Sequence, residues 1–313
     1  MEFRITQKSS KFKVPVGIWK NGKKFELAWL TKTEKICSVT IPEKKVHKIP
    51  NIVLKETLRA DGITSGQVNN LYEFSYISAL PPHLIWSKSV ILAGNPTALE
   101  CERFCEFTLE REIPFPIDDV HFDYRKTPLG QQNEPSSQLD IFAVHKKTAE
   151  DYIESLQPLR IEVLDHSAYC LLRCIDIIAP ERKNTNTLWI YLDHSGFILI
   201  RERYGQLQVM QQAEIGDLIE LKNKFVARYG DEPEHCIAMN CDNFRHIIKP
   251  DFMDYQLMSV PFIAFGCALW GEGQKLLNDL EITIKPIEIE LTLADESDNP
   301  NHYGEKHDAQ VLH

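Results

Sequence analysis

The sequence predicts a protein of two α/β or α+β units, and three observations carry that reading. Its 313 residues exceed the roughly 100–200 that one domain usually holds. Three short strand patterns followed by helix–strand alternation occur twice, once from Val14 and again from Leu188. Between the halves, residues 180–187 are charged or polar without a large apolar side chain. That boundary divides the chain into a first unit over 1–180 and a second over 186–290. An acidic, polar stretch over 294–313 is expected to be a disordered tail, because it has too little apolar surface to order itself.

Residues 1–13 are polar, and the first expected strands are Val14 to Trp19 and Phe25 to Leu30. Asn21-Gly22 between them is a hairpin signal. Ile36 to Ile41 is the third strand and Asn51 to Ala60 a helix. Tyr72 to Ala79 and Leu84 to Ala93 are strands parted by Pro81-Pro82. Thr97 with Glu100 three residues on reads as a capping box opening a helix. Leu99, Cys101, Phe104, Cys105 and Thr108 give this helix an apolar face, and it must stop at Ile113 because Pro114 disfavours helix there. Val120 to Arg125 and Leu139 to Val144 read as strands around a polar loop at 128–138, Thr148 to Leu156 as a helix, and Ile161 to Leu164 as a strand. Asp165 or Ser167 caps a helix to about Ile178. The second unit opens with strands Leu188 to Leu192, Phe197 to Arg201 and Leu207 to Gln211. A helix at 214–229, a strand at His235 to Met239 and an apolar, buried helix Pro261 to Trp270 follow.

Composition narrows the function classes. Hydrophobic residues make up 43% and charged residues 26%, enough for an ordinary core without disulfides or a structural metal. The eight cysteines form no Cys-x-x-Cys. The i,i+4 pairs Cys101/Cys105 and Cys170/Cys174 lack the further ligands a zinc site needs, so they read as core cysteines of a reducing compartment. Residues 1–60 hold 14 Lys and Arg against 5 Asp and Glu, a local charge of +9, so the rest carries −19 within the total of −10. Such a basic end either solvates hairpin turns or contacts an anionic lipid or acidic partner. Nucleic-acid binding is disfavoured by the acidic whole and the lack of interleaved aromatics. The first apolar segment is short and no cleavage site follows it. Val260 to Gly271 is shorter than the roughly 20 residues of a membrane helix. A cytoplasmic, non-spanning protein is the expectation.

The segment Leu109-Glu110-Arg111-Glu112-Ile113-Pro114-Phe115-Pro116-Ile117-Asp118-Asp119-Val120-His121-Phe122-Asp123-Tyr124 is similar to the signature of the PilM family. In that family a helix ends in Ile-Pro-Phe-Pro, then an acidic pair, then a strand carrying Asp-Tyr. Leu139 to Cys174 and the small-residue helix Val260 to Leu269 resemble it as well, and the length suggests a competence-type (ComA- or HofM-like) member. The resemblance implies a two-domain actin-like ATPase (ribonuclease H-like) fold, with a small α+β subdomain inserted in the first domain over about 84–157. It further implies a cytoplasmic scaffold of type IV pilus or DNA-uptake machinery, peripheral to the inner membrane. Its partners would be the cytoplasmic N-terminal peptide of a PilN-like single-pass inner-membrane protein and the pilus assembly ATPase complex, with self-association left open. Pro114, Phe115, Pro116 and Asp119 would lie at or near that peptide. Two prolines also stiffen the turn around Phe115, so its ring either plugs a core or presents a contact.

ATP is the one cofactor the resemblance allows. The family's first phosphate hairpin reads roughly Gly-Ile-Asp-Ile-Gly-Ser, against Gly17-Ile18-Trp19-Lys20-Asn21-Gly22 here. Gly17 is kept, Trp19 replaces the metal-positioning carboxylate, and Lys20 is either a phosphate contact or an exposed turn lysine. The second hairpin, Leu192-Asp193-His194-Ser195-Gly196, places Asp193 at the second phosphate motif with Ser195 and Gly196 as donors, or is a plain Asp/Ser/Gly turn. Ala238-Met239-Asn240-Cys241-Asp242-Asn243 lacks the Gly-Gly pair that lets a backbone approach adenosine closely. A degenerate site without catalysis is expected, and nucleotide binding as a structural switch stays open. The competing readings are an actin-like ATPase or kinase with real catalysis and a type II secretion L-like cytoplasmic component.

Overall fold

The computed structural model describes residues 11–63, 71–129, 136–182, 185–203, 205–213, 217–239, 253–256, 260–271 and 287–288. In the first half, β1 (Phe12–Asn21), β2 (Lys24–Leu30) and β3 (Ile36–Pro42) form an antiparallel meander, and α1 (Ile49–Ala60) leads to β4 (Tyr72–Leu80). β4 pairs parallel to β1, and the later β8 (Ile161–His166) pairs parallel to β4. In the second half, β9 (Thr187–Asp193), β10 (Gly196–Arg203) and β11 (Gln206–Gln212) make another antiparallel meander. After α5 (Leu218–Tyr229), β12 (His235–Met239) pairs parallel to β9 and β13 (Met253–Gln256) pairs parallel to β12. In order of appearance, each half therefore shows strand order 3-2-1-4-5. This is the duplicated ribonuclease H-like topology of an actin-like fold.

Two parts lie outside the repeat. Between β4 and β8 the chain builds β5 (Trp86–Ala93), α2 (Ala98–Glu112), β6 (Val120–Leu129), β7 (Ser136–His145) and α3 (Lys146–Glu154). The strands form a separate sheet of order β5-β7-β6, which is the inserted subdomain. Thr97 and Glu100 close the capping box on α2 as the sequence predicts. Cys101, Cys105 and Leu109 of α2 pack on Leu139, Ile141 and Ala143 of β7. The last described strand, β14 (Ile287–Glu288), pairs with β3 of the first sheet, although the sequence assigns those residues to the second unit.

The core between the two sheets is built around α4 (Ser167–Ile178) and α6 (Phe262–Ala268). Trp19, Ile77 and Ala79 reach it from the first sheet, and Trp189, Tyr191 and Ile237 from the second. Residues on β1 alternate as a strand must. Val14, Val16 and Ile18 face α1, while Gly17 and Trp19 face α6. A Cβ on Gly17 would stand 1.7 Å from the Ala264 carbonyl oxygen, and one on Gly266 1.9 Å from the Cys170 carbonyl oxygen. These glycines let a strand and two helices approach backbone to backbone.

Several local expectations are corrected. The first hairpin turn is Gly22-Lys23 rather than Asn21-Gly22, because Asn21 pairs with Lys24 and Gly22 takes φ +62°. The cap of α4 is neither Asp165 nor Ser167 but His166, whose Nδ1 accepts from Ala168 N at 3.1 Å. α5 begins at Leu218 behind an Asp217 cap, four residues later than expected. No helix among the described residues is long and apolar enough to cross a membrane. The tail at 294–313 and residues 240–243 of the expected adenosine motif lie outside the described residues.

Candidate functional site

Two places are candidates for function, one holding residues that the sequence singles out and the other lying beside them. The first is where the β1–β2 and β9–β10 hairpins meet, the position of the expected phosphate motifs. Trp19 is 2% exposed, and its indole Nε1 donates to Asp193 Oδ2 at 3.0 Å. Ser195 donates to the other carboxylate oxygen through its backbone N at 2.7 Å and its hydroxyl at 2.6 Å. The Asn21 side-chain oxygen accepts from His194 N at 3.2 Å and lies 3.0 Å from His194 Nδ1. A phosphate between these two turns would have to displace that contact.

The remaining candidates there are engaged within the chain. Gly17 faces α6 as described above. Lys20 pairs with Glu43 at 2.7 Å and donates to the Ser155 carbonyl at 3.2 Å, so its charge is answered within the chain. Gly196 pairs with Asp193 across the hairpin at φ +112°, and a Cβ there would lie 2.2 Å from the Gln212 carbonyl oxygen. Glu26, on β2, joins the cluster through Asn21 Nδ2 at 2.7 Å. Burial, reinforced by the Asp193 charge and opposed by the Asn21 bond and Lys24, pushes its carboxyl up to about 7. Trp19 therefore fills with an indole and its donor the place where a metal-positioning carboxylate is expected. The two hairpins are hydrogen-bonded to each other through Trp19–Asp193 and Asn21–His194.

The second place is a groove of about 470 Å³ between the inserted subdomain and α4. β6 and β8 both line it, and each ends its sheet among the described residues. An edge strand exposes unpaired backbone groups that can accept another extended chain. On the floor, Phe142, His166 and Tyr169 meet edge to face with ring centroids 5.4–5.7 Å apart. Burial pushes His166 down to about 4, so at neutral pH its ring is an uncharged aromatic with Nδ1 committed to the helix cap. Arg125 lies over the Tyr169 ring at 5.3 Å. On the α4 side Arg173 forms an ion pair with Asp165 and donates from Nε to the Gly266 carbonyl at 3.0 Å. An apolar aromatic floor, fixed charges at its sides and free strand edges together suit a short extended peptide.

The predicted partner residues sit beside this groove rather than in it. Pro114, Phe115, Pro116 and Asp119 are exposed on the turn after α2. Phe115 is 48% exposed and its ring packs against His145 at 4.7 Å. His145 pairs with Val120, next to Val144 and His121, which do line the groove. Phe115 thus presents a surface instead of plugging a core. The groove residues proper, Arg125, Phe142, Asp165, His166, Tyr169 and Arg173, were missed because four separate elements bring them together. The one local hint was the Asp-Tyr strand opening that includes Asp123.

No protein-family model and no curated protein matches the sequence. Among solved structures, a chain of a PilM-PilN type IV pilus biogenesis complex superposes with a TM-score of 0.54 at 16% identity, over 83% of this chain and 98% of that one. A Bacteroides thetaiotaomicron protein of unknown function with an actin-like ATPase fold aligns over 85% of this chain and 99% of that one, with a TM-score of 0.45 at 9% identity. With the duplicated 3-2-1-4-5 topology, the chain has a two-unit actin-like ATPase fold carrying an inserted α+β subdomain, the fold it shares with that pilus-complex chain.

Proposed function

We propose that this chain is a non-catalytic interaction module that receives an extended peptide in the groove between β6 and α4. The reading is carried by one observation: two sheet edges border an aromatic floor whose volume suits a few residues of extended chain. The chain sharing its fold belongs to a PilM-PilN complex, which supports a PilN-like partner. In this reading the peptide is the cytoplasmic N-terminus of a single-pass inner-membrane protein. The module then works at the cytoplasmic face of that membrane, within type IV pilus or DNA-uptake machinery and its assembly ATPase complex. In this reading the nucleotide site is degenerate and ATP hydrolysis is not its task, which is supported by the contacts of Trp19 with Asp193 and of Asn21 with His194 across the two hairpins.

The test is calorimetric titration of the full chain with the N-terminal cytoplasmic peptide of its candidate PilN-like partner, beside Phe142→Ala. Saturable binding at micromolar Kd, about −8 kcal/mol, weakened at least ten-fold in the variant, supports the reading. Absence of binding, with and without Mg-ATP, overturns it and leaves the fold alone.

A further inference from the structure

The positive charge of the first sixty residues is not spread evenly in space. The turn lysines Lys23 and Lys24 lie directly beside the short 3-10 helix Glu43–Lys48, since Lys24 pairs with Pro42 and Glu43 N donates to the Lys23 carbonyl at 2.8 Å. That helix contributes Lys44, Lys45 and Lys48, so five lysines converge on one end of the first sheet. Lys23, Lys24, Lys44 and Lys48 are exposed and Lys45 is half-buried. The carboxylate in their midst, Glu43, is already taken by Lys20. Val46 turns inward to the core that Ile41 and Ile49 occupy, which leaves the lysine faces of the helix outward. At the opposite end of the meander, Lys35 is tied to the Ala60 carbonyl at 2.6 Å and Asp61 bonds Thr33, so Lys35 there is engaged within the chain.

We infer that this lysine cluster is a docking surface for an anionic membrane. A chain of net charge −10 is repelled as a whole by a surface of its own sign. Attraction must then come from a patch closer to that surface than the screening length of about 8–10 Å. Lysines on a protruding turn and short helix satisfy this, and each contributes as a hydrated point charge suited to a field of headgroups. The chemistry fits a lipid surface better than nucleic acid. The patch has no arginine fork for a phosphate–base contact and no aromatic for stacking, and the −19 carried by residues 61–313 would oppose a long polyanion lying across the molecule. The cluster shares no residue with the peptide groove, so the inference stands independently of the function proposed above.

The experiment is flotation of the full chain with vesicles of phosphatidylglycerol and phosphatidylcholine, against phosphatidylcholine alone, at low and high salt. Each lysine near an anionic surface strengthens binding about five-fold. Lys23→Gln/Lys44→Gln/Lys48→Gln, all at exposed positions, should therefore lower the apparent affinity for anionic vesicles about 100-fold without lowering the melting temperature. High salt should release the wild type, and neutral vesicles should not bind it. The matched control Lys32→Gln/Arg103→Gln/Lys147→Gln should bind as the wild type does. Equal binding to neutral vesicles, no binding to anionic ones, or an equal loss in the control would overturn the inference. So would tighter, patch-dependent binding of a DNA duplex at the same salt. Peptide affinity in the lysine variant should be unchanged, which separates this surface from the groove.

Discussion

Trp19 and Asp193 are 174 positions apart in sequence, yet the indole nitrogen of one donates to the carboxylate of the other at 3.0 Å. The bond joins the first strand of one unit to the first strand of the other, and both side chains are buried. Removing the donor strands a carboxylate oxygen away from water. Trp19→Phe should lower stability by about 1–3 kcal/mol from that term alone, read from urea denaturation. A cycle with Asp193→Asn should show coupling between the two positions. Additive losses would mean that the indole contributes by packing only.

The same contact governs the response to nucleotide. A ligand at a hundred times its Kd stabilises a protein by about 2.7 kcal/mol, which moves the melting temperature by several degrees. Because Trp19 binds Asp193 and Asn21 binds His194 across the hairpins, Mg-ATP should leave the thermal midpoint of this chain unchanged. A clear rise with Mg-ATP, absent with AMP, would show that the hairpins part and that a phosphate replaces the Asn21–His194 contact.

Gly17→Ala and Gly266→Ala should each be severely destabilising, by about 3 kcal/mol or more. Neither glycine has a positive φ, so the cost is not backbone strain. In each case the new methyl would stand under 2 Å from a backbone carbonyl oxygen, which no rotamer change relieves. Gly62→Ala is a useful contrast, since its Cβ meets nothing within 4 Å and its φ of +70° confines the penalty to conformation, about 1 kcal/mol. Comparable losses at all three positions in urea melts would refute this account of helix α6.

What could be read from the chain and what could not divides along physical lines. The capping box at Thr97 and the stop at Ile113 are local, set by side-chain chemistry within four residues, and they appear where expected; both meanders form as well, the first with its turn one residue later. β13 and β14 escaped because strands of four and two residues carry no usable periodicity and exist through their neighbours. His166 was passed over as a cap because Asp165 and Ser167 beside it are the usual cap residues, yet His145 opens α3 in the same manner. Trp19 was visible as a departure from a phosphate hairpin, but its partner across 174 residues was not. The groove was least legible of all, because β6, β7, β8 and α4 must assemble before Arg125, Phe142, Asp165 and Tyr169 share one surface.

The groove and the proline turn make different predictions for partner capture. Tyr169→Ala removes an aromatic from the floor together with the surface on which Arg125 rests, so peptide affinity should fall about ten-fold or more. Pro114→Ala/Pro116→Ala loosens only a neighbouring exposed turn. The loss there should be smaller, within a few-fold, arising from the lower rigidity of Phe115 against His145. Titration of both folded variants decides between them. A larger effect from the proline pair would move the contact surface from the groove floor to the turn.

Glu26 gives the chain a pH dependence of definite sign. Its carboxyl is raised to about 7 in the folded protein, against an ordinary value near 4.5 when unfolded. Desolvation is the main cause, Asp193 adds to it, and Asn21 and Lys24 oppose it. Below about pH 4.5 Glu26 is protonated in both states and costs nothing. Between about 4.5 and 7 the unfolded chain ionises first, so stability falls as pH rises, and well above 7 the whole penalty, about 3 kcal/mol, is present. Glu26→Gln keeps an oxygen to accept from Asn21 but cannot ionise. It should match the wild type near pH 4 and exceed it at pH 8 by about that amount, as measured by urea denaturation across the range. A constant difference between the two proteins at every pH would mean that Glu26 stays ionised in the fold, with Asn21 and Lys24 outweighing its burial.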